Sequence, residues 1–146
     1  MNNLNLIFII FFQSIIFAQW DNSDSIIVIE QTESYTSLSV FENAFRNHTS
    51  NIQVHQKGKI ISILKDDLKG SRHQRFIVKL DNGQTLLIAH NIDISKRVQK
   101  LKINEQIIFY GEYEWNNKGG VIHWTHRDPD GRHIDGYLEY KGNKYQ

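Results

Sequence analysis

The sequence predicts a mainly β fold: a small five- to six-stranded OB-like barrel with an N-terminal helix and a short helical connection between strands three and four. Three observations predict it. From Ile52 onward, β-branched and apolar residues recur at the period of strands. An Asn82-Gly83 pair sits between two such runs, the strongest short-range hairpin signal. Three strand-like runs in meander are followed by a spacer and then by a two-stranded hairpin. An SH3-like barrel is the alternative, and it would lack the helical spacer.

Before the barrel, Leu38, Phe41 and Phe45 fall at helical spacing, and Ser39 with Glu42 fits a capping box. Asn47 to Ser50 supplies the stop. The helix is expected to dock its Phe stripe on the domain. The first strand runs through Gly58 to Leu64 and ends in the polar loop Lys65 to Ser71. Phe76 to Leu80 and Thr85 to His90 flank the Asp81-Asn82-Gly83-Gln84 turn. Residues 91–103 read as a short helix or wound connection, with Ile94, Val98 and Leu101 spaced for one face. Gln106 to Trp115 and Val121 to Thr125 form the last hairpin around Asn116 to Gly120. Asp128-Pro129-Asp130-Gly131 has the composition of a turn, since Pro presets one central position and Gly accepts positive φ. A final short strand covers Tyr137 to Tyr140, before Lys141 to Lys144.

The chain has 146 residues, one proline and no cysteine, which allows one modest domain and excludes disulfide staples, a cysteine nucleophile and thiolate metal sites. Residues 1–18 contain no charged side chain and no His, and Leu4 to Ala18 is almost wholly apolar. That run is shorter than the ~20 residues that span a bilayer, so it reads as a signal peptide cleaved after Ala18. The alternatives are a retained anchor or a buried strand. Residues 19–37 then form a linker with one short apolar run, Ile26 to Ile29, and 38–146 the domain. The expected location is periplasmic or secreted. Charge is uneven: residues 19–50 carry −4, and residues 51–146, with 16 basic against 11 acidic side chains, carry +5. A mildly basic domain favours an anionic polymer or small ligand, without the strong bias of a dedicated nucleic-acid binder.

Three stretches resemble the bacterial domain of unknown function 3465 family: Gly70 to Phe76 (GSRHQRF), Leu87 to Asp93 (LIAHNID), and Phe109 to Gly136 (FYGEYEWNNKGGVIHWTHRDPDGRHIDG). The resemblance covers residues 38–146. Ile134 stands where the family form has Pro, and Tyr137 where it has Trp. The resemblance implies a small exported bacterial protein and carries no assigned activity.

The densest polar segment is His123 to His133, with three imidazoles, two carboxylates and two guanidinium groups. His126, Asp128 and His133 are the candidate metal ligands, with His90 arriving from another strand. His123 and His126 are three apart, and in an extended strand such positions face opposite ways. His73, His90, His126 and Arg127 are candidate acid–base and phosphate-bracing groups for a phosphodiesterase. Arg72, Arg75, Trp115, Trp124 and Arg132 are candidate ligand-binding residues, the Trp rings by stacking and the Arg by charge. Tyr113 belongs with those aromatics. Each also has a structural reading: aromatics on paired strands fill small barrels, and mixed His, Arg and Asp networks pin loops. No Walker loop, GxGxxG or nucleophile elbow appears, and the sequence leaves any cofactor unknown. Three functions fit: an OB-like binding module for an anionic ligand such as nucleic acid or acidic oligosaccharide, a nuclease-like hydrolase with or without metal, and a structural envelope protein.

Overall fold

The computed structural model describes residues 38–146 and, by backbone alone, two short paired strands, Ile10–Phe11 and Ser14–Ile15. The chain divides into two units, Met1–Glu33 and Ser34–Gln146. The expected linker with its apolar run at 26–29, and most of the expected signal peptide, lie outside the described residues.

Seven strands follow in the larger unit: β1 Ile52–Ile63, β2 His73–Lys79, β3 Thr85–Asn91, β4 Gln106–Glu114, β5 Val121–His123, β6 Tyr137–Tyr140 and β7 Asn143–Tyr145. Along β1, buried Val54, Gln56, Gly58 and Ile60 alternate with exposed His55, Lys57 and Lys59. A bulge between Ile60 and Ser62 bends the strand, so residues 52–59 pair with β4 while 59–63 pair with β2. That double pairing closes the barrel in the order β1-β2-β3-β5-β4. Every contact in it is antiparallel except β3 with β5, which is parallel. β6 adds to the outer edge of β4, and β7 to β6. The fold is therefore the predicted OB-like barrel with two extra strands. β7 was not foreseen; Lys141 and Gly142, both at positive φ, turn the chain back to form it.

The hairpin at 81–84 forms as Asn-Gly predicts: Gly83 sits at φ +89°, and the Leu80 N–H donates to Gln84 O at 2.9 Å. The connection 92–105 takes the wound form, in turns, with no helix. Its apolar residues do not share a face, since Val98 is buried and Ile94 is 45% exposed. A side chain from β2 pins its middle. The buried Gln74 amide accepts from Val98 N–H at 2.9 Å and donates to Val98 O at 3.0 Å. Tyr140 Oη accepts from Lys102 N–H at 3.1 Å farther along.

Residues 38–46 are helical (α1) and cover one end of the barrel. Phe41 is the plug: it is buried and meets Phe109 and Tyr113 edge-on, at ring distances of 6.2 and 5.8 Å. Burying one such side chain contributes about 1.5–3 kcal/mol. Two details differ from the sequence reading. Ser39 lies inside the helix rather than at its cap. The buried partner of Phe41 is Ala44, three residues on, whereas Phe45 is 37% exposed. The helix ends in a Schellman motif, with Thr49 N–H donating to Ala44 O at 2.9 Å and His48 at φ +53° in the position usually held by Gly.

Candidate functional site

The sequence-predicted residues separate into two environments. His90 points into the barrel and is fully buried. Its Nδ1 meets Thr125 Oγ1 at 2.8 Å and its Nε2 meets Lys96 O at 3.1 Å. Lys96 O can only accept, so Nε2 carries the proton and Nδ1 accepts from the Thr125 hydroxyl. Burial, helped by nearby His126 and His73 and opposed by the backbone contacts, lowers its pKa to about 4. The ring is neutral at physiological pH with both nitrogens engaged. His126 is buried too, its Nδ1 at 2.7 Å from Arg127 O. His73 is half-buried at the start of β2, with Nδ1 2.7 Å from Ser71 O.

The basic residues are mostly committed locally. Arg72 clasps Asp93 through Nε at 2.6 Å and its own N–H at 2.7 Å. Arg75 donates to Lys65 O from Nε and Nη2 at 3.1 and 3.0 Å. Arg132 pairs with Asp130 on the surface. Arg127 is exposed, and its guanidinium faces the side-chain amide of Gln146 at 2.8 Å. Trp115 closes the helix end: its Nε1–H donates to Phe45 O at 3.1 Å, and its ring lies 4.1 Å from that of His48. Tyr113 is core, its hydroxyl donating to Gly119 O at 3.1 Å.

Asp128 organises its own turn. Its Oδ1 accepts from Asp130 N–H at 3.1 Å, and Oδ2 from the N–H groups of Arg132 and His133, both at 2.7 Å. Those bonds hold its carboxyl below the usual range, the bond from Asp130 first among them. The loop closes on β4 at Gly136, whose N–H donates to His126 O at 2.9 Å. A Cβ there would stand 1.9 Å from Trp124 O and 2.5 Å from Tyr110 O, so only glycine permits this approach.

The outer face of β4 gathers the remaining chemistry. Along this strand Ile107, Phe109, Gly111 and Tyr113 point inward, leaving Ile108, Tyr110, Glu112 and Glu114 outside. His123 pairs directly across from Glu112, on β5. Its Nε2 lies 3.3 Å from Glu112 Oε1 and 3.8 Å from Glu114 Oε1. The other oxygen of Glu112 accepts from His133 Nε2 at 2.9 Å. Burial lowers the pKa of His123 despite both carboxylates. For His133 burial also pulls downward, but the Glu112 bond and the Ile134 carbonyl outweigh it and the pKa is raised. Trp124 follows β5 at φ +52°, strained for a bulky side chain at about 1–3 kcal/mol. That kink breaks the strand alternation, so Thr125 turns inward to His90 while the Trp124 ring stacks on His133 at 4.1 Å and 9°.

One rung along β4, Tyr110 lies between His55 on β1 and Tyr137 on β6. The rings are 6.0 Å (His55–Tyr110), 5.6 Å (Tyr110–Tyr137) and 6.1 Å (His55–Tyr137) apart, and Tyr137 Oη is 3.2 Å from His55 Nε2. Lys144 from β7 holds its ammonium 3.8 Å from the Tyr137 ring centre. Sequence reasoning singled out neither this cluster nor the two glutamates. Their signal was the alternation of β4, together with strand register that only the fold supplies.

Among the described residues, no helix is long and apolar enough to cross a membrane. A search of curated proteins finds no match. Residues 25–146 match the family described as protein of unknown function (DUF3465), as the GSRHQRF, LIAHNID and FYGEYEW…HIDG stretches anticipated. The match spans most of the chain, and the protein belongs to the DUF3465 family.

Proposed function

We propose that the protein is an exported, periplasmic or secreted binding module that takes an anionic, ring-bearing polymer across β1, β4 and β6. One observation carries this reading: the His55–Tyr110–Tyr137 cluster, with His55 exposed, both tyrosines half-buried and Lys144 alongside. Lys57 and Lys59 stand exposed on the same face of β1, beyond His55. Aromatic faces beside ammonium groups are what OB-like barrels use to hold single strands, each stacked base contributing about 1–3 kcal/mol. Sugar rings of an acidic oligosaccharide meet the same chemistry. The uncharged apolar leader supports export.

The test titrates the protein at low salt with a single-stranded DNA oligonucleotide and, in parallel, with a sulfated oligosaccharide. The reading expects saturable, salt-sensitive binding of one polymer, weakened at least fivefold by Tyr110→Ala or Tyr137→Ala. Flat titrations with both polymers, or binding indifferent to both substitutions, would overturn it. Cleavage in the same mixtures would favour the hydrolase reading instead. That reading draws on the electrostatic proximity of His73 and His126 to His90, and it is weakened by the engagement of both His90 nitrogens.

A further inference from the structure

We propose that Glu112, Glu114 and His123 form a binding site for a divalent transition-metal ion of the zinc class, with His133 orienting Glu112 from behind. Nothing in this proposal depends on polymer binding.

The site follows from register. Glu112 and Glu114 are two apart on β4 and so share the outer face, and the β4–β5 pairing places His123 opposite Glu112. One ligand atom from each residue lies within 4.8 Å of the others. The spacing is looser than a direct hydrogen bond and close to that of ligands around one ion. A charge-assisted N–H···O bond closes to about 2.7–2.9 Å. Oxygens and nitrogens held ~2.0–2.2 Å from a tetrahedral ion stand about 3.3–3.6 Å from each other. His123 Nε2 is 3.3 and 3.8 Å from the two carboxylates.

Two further observations point to a missing partner. His123 Nε2 is buried and makes no hydrogen bond, although two carboxylates face it. Across the β1–β4 pairing, Gln53 stands directly opposite Glu112, and both its amide nitrogen and its amide oxygen are also buried without a partner. Buried orphan groups are rare in native proteins, and an ion accounts for the His123 nitrogen. The ion would take the His123 lone pair. Glu112 already has the outer support that metal carboxylates show, since its second oxygen is held by His133 at 2.9 Å and His133 is held by the stacked Trp124. Three protein ligands leave a fourth position for water or a ligand atom. One imidazole with two carboxylates suits Zn²⁺, or Co²⁺ and Mn²⁺ in its place, better than Ca²⁺.

The experiment uses the untagged full chain after chelator treatment, titrated with Zn²⁺ by calorimetry and with Co²⁺ by visible absorption. The proposal expects one equivalent of Zn²⁺ to bind, Co²⁺ bands of four- or five-coordinate intensity, and a shift of the His123 Nε2 ¹⁵N resonance. Glu114→Gln and His123→Gln should each weaken binding at least tenfold. His133→Gln should weaken it less and leave one-to-one stoichiometry. Thermal melts of the chelated variants show whether each is folded; if one is not, the His123 resonance in the wild-type chain decides. No saturable binding of Zn²⁺ or Co²⁺ up to millimolar concentration would overturn the proposal. So would binding that survives His123→Gln unchanged, or that shifts His73 or His126 instead of His123.

Discussion

His90 and His123 stand on adjacent, parallel strands of one barrel, yet they are different chemical objects. His90 faces inward, excluded from water, with Thr125 on one nitrogen and Lys96 O on the other. His123 faces outward beside two carboxylates, with Nε2 left without a hydrogen bond. An imidazole whose two nitrogens are both satisfied by the fold has nothing left to offer a ligand. One that packing holds in place with a nitrogen unspent is available for chemistry. Residue type does not separate the two; the face of the strand does.

Removing the inner imidazole should have the largest effect. His90→Ala deletes a buried ring and orphans both Thr125 Oγ1 and Lys96 O, so we expect a loss of about 3–4 kcal/mol in denaturant unfolding. His123→Ala in chelator should change stability by less than about 0.5 kcal/mol, because no hydrogen bond is lost. Equal losses at the two positions would erase the contrast.

Acid should act through the inner ring next. Its folded-state pKa of about 4 lies below the unfolded value of 6.5, so protons bind the unfolded chain first. The stability associated with neutral His90 is therefore full above pH ~6.5 and lost as pH falls toward ~4, by about 3 kcal/mol in total. Urea unfolding across that range measures it. In His90→Gln this part of the slope should disappear.

The rim should matter less than the inner ring. His133→Ala gives up the Glu112 bond and the Trp124 stack on a partly exposed surface, at a cost of about 1 kcal/mol. A much larger loss would mean that the outer network supports the barrel in the way His90 does.

Much of the barrel was legible in the sequence because its signals are local. Asn82-Gly83 specifies a turn by its own conformational preference, and alternation along β1 and β4 separates inside from outside. The 92–105 connection was legible only in part. Its spacing imitates a helix, while its backbone is held by Gln74, a side chain 24 residues before Val98 that no local pattern signals. The candidate site was less legible still. The chain offers His123, His126 and His133 as near neighbours, but the partners of His123 are Glu112 and Glu114 across a strand pair. Two glutamates alternating along a strand read as a solvated face until β5 is laid beside them. Trp124 and His133 were visible as residues, whereas their stack depends on a backbone kink that composition does not announce.

The contrast is tested most directly by following the individual imidazoles by ¹H–¹⁵N NMR through a pH titration of the chelated protein. The account predicts that His90 keeps a single neutral tautomer, protonated on Nε2, until the pH approaches about 4. A His90 that titrates near 6.5, or exchanges between tautomers as a solvated ring does, would contradict it.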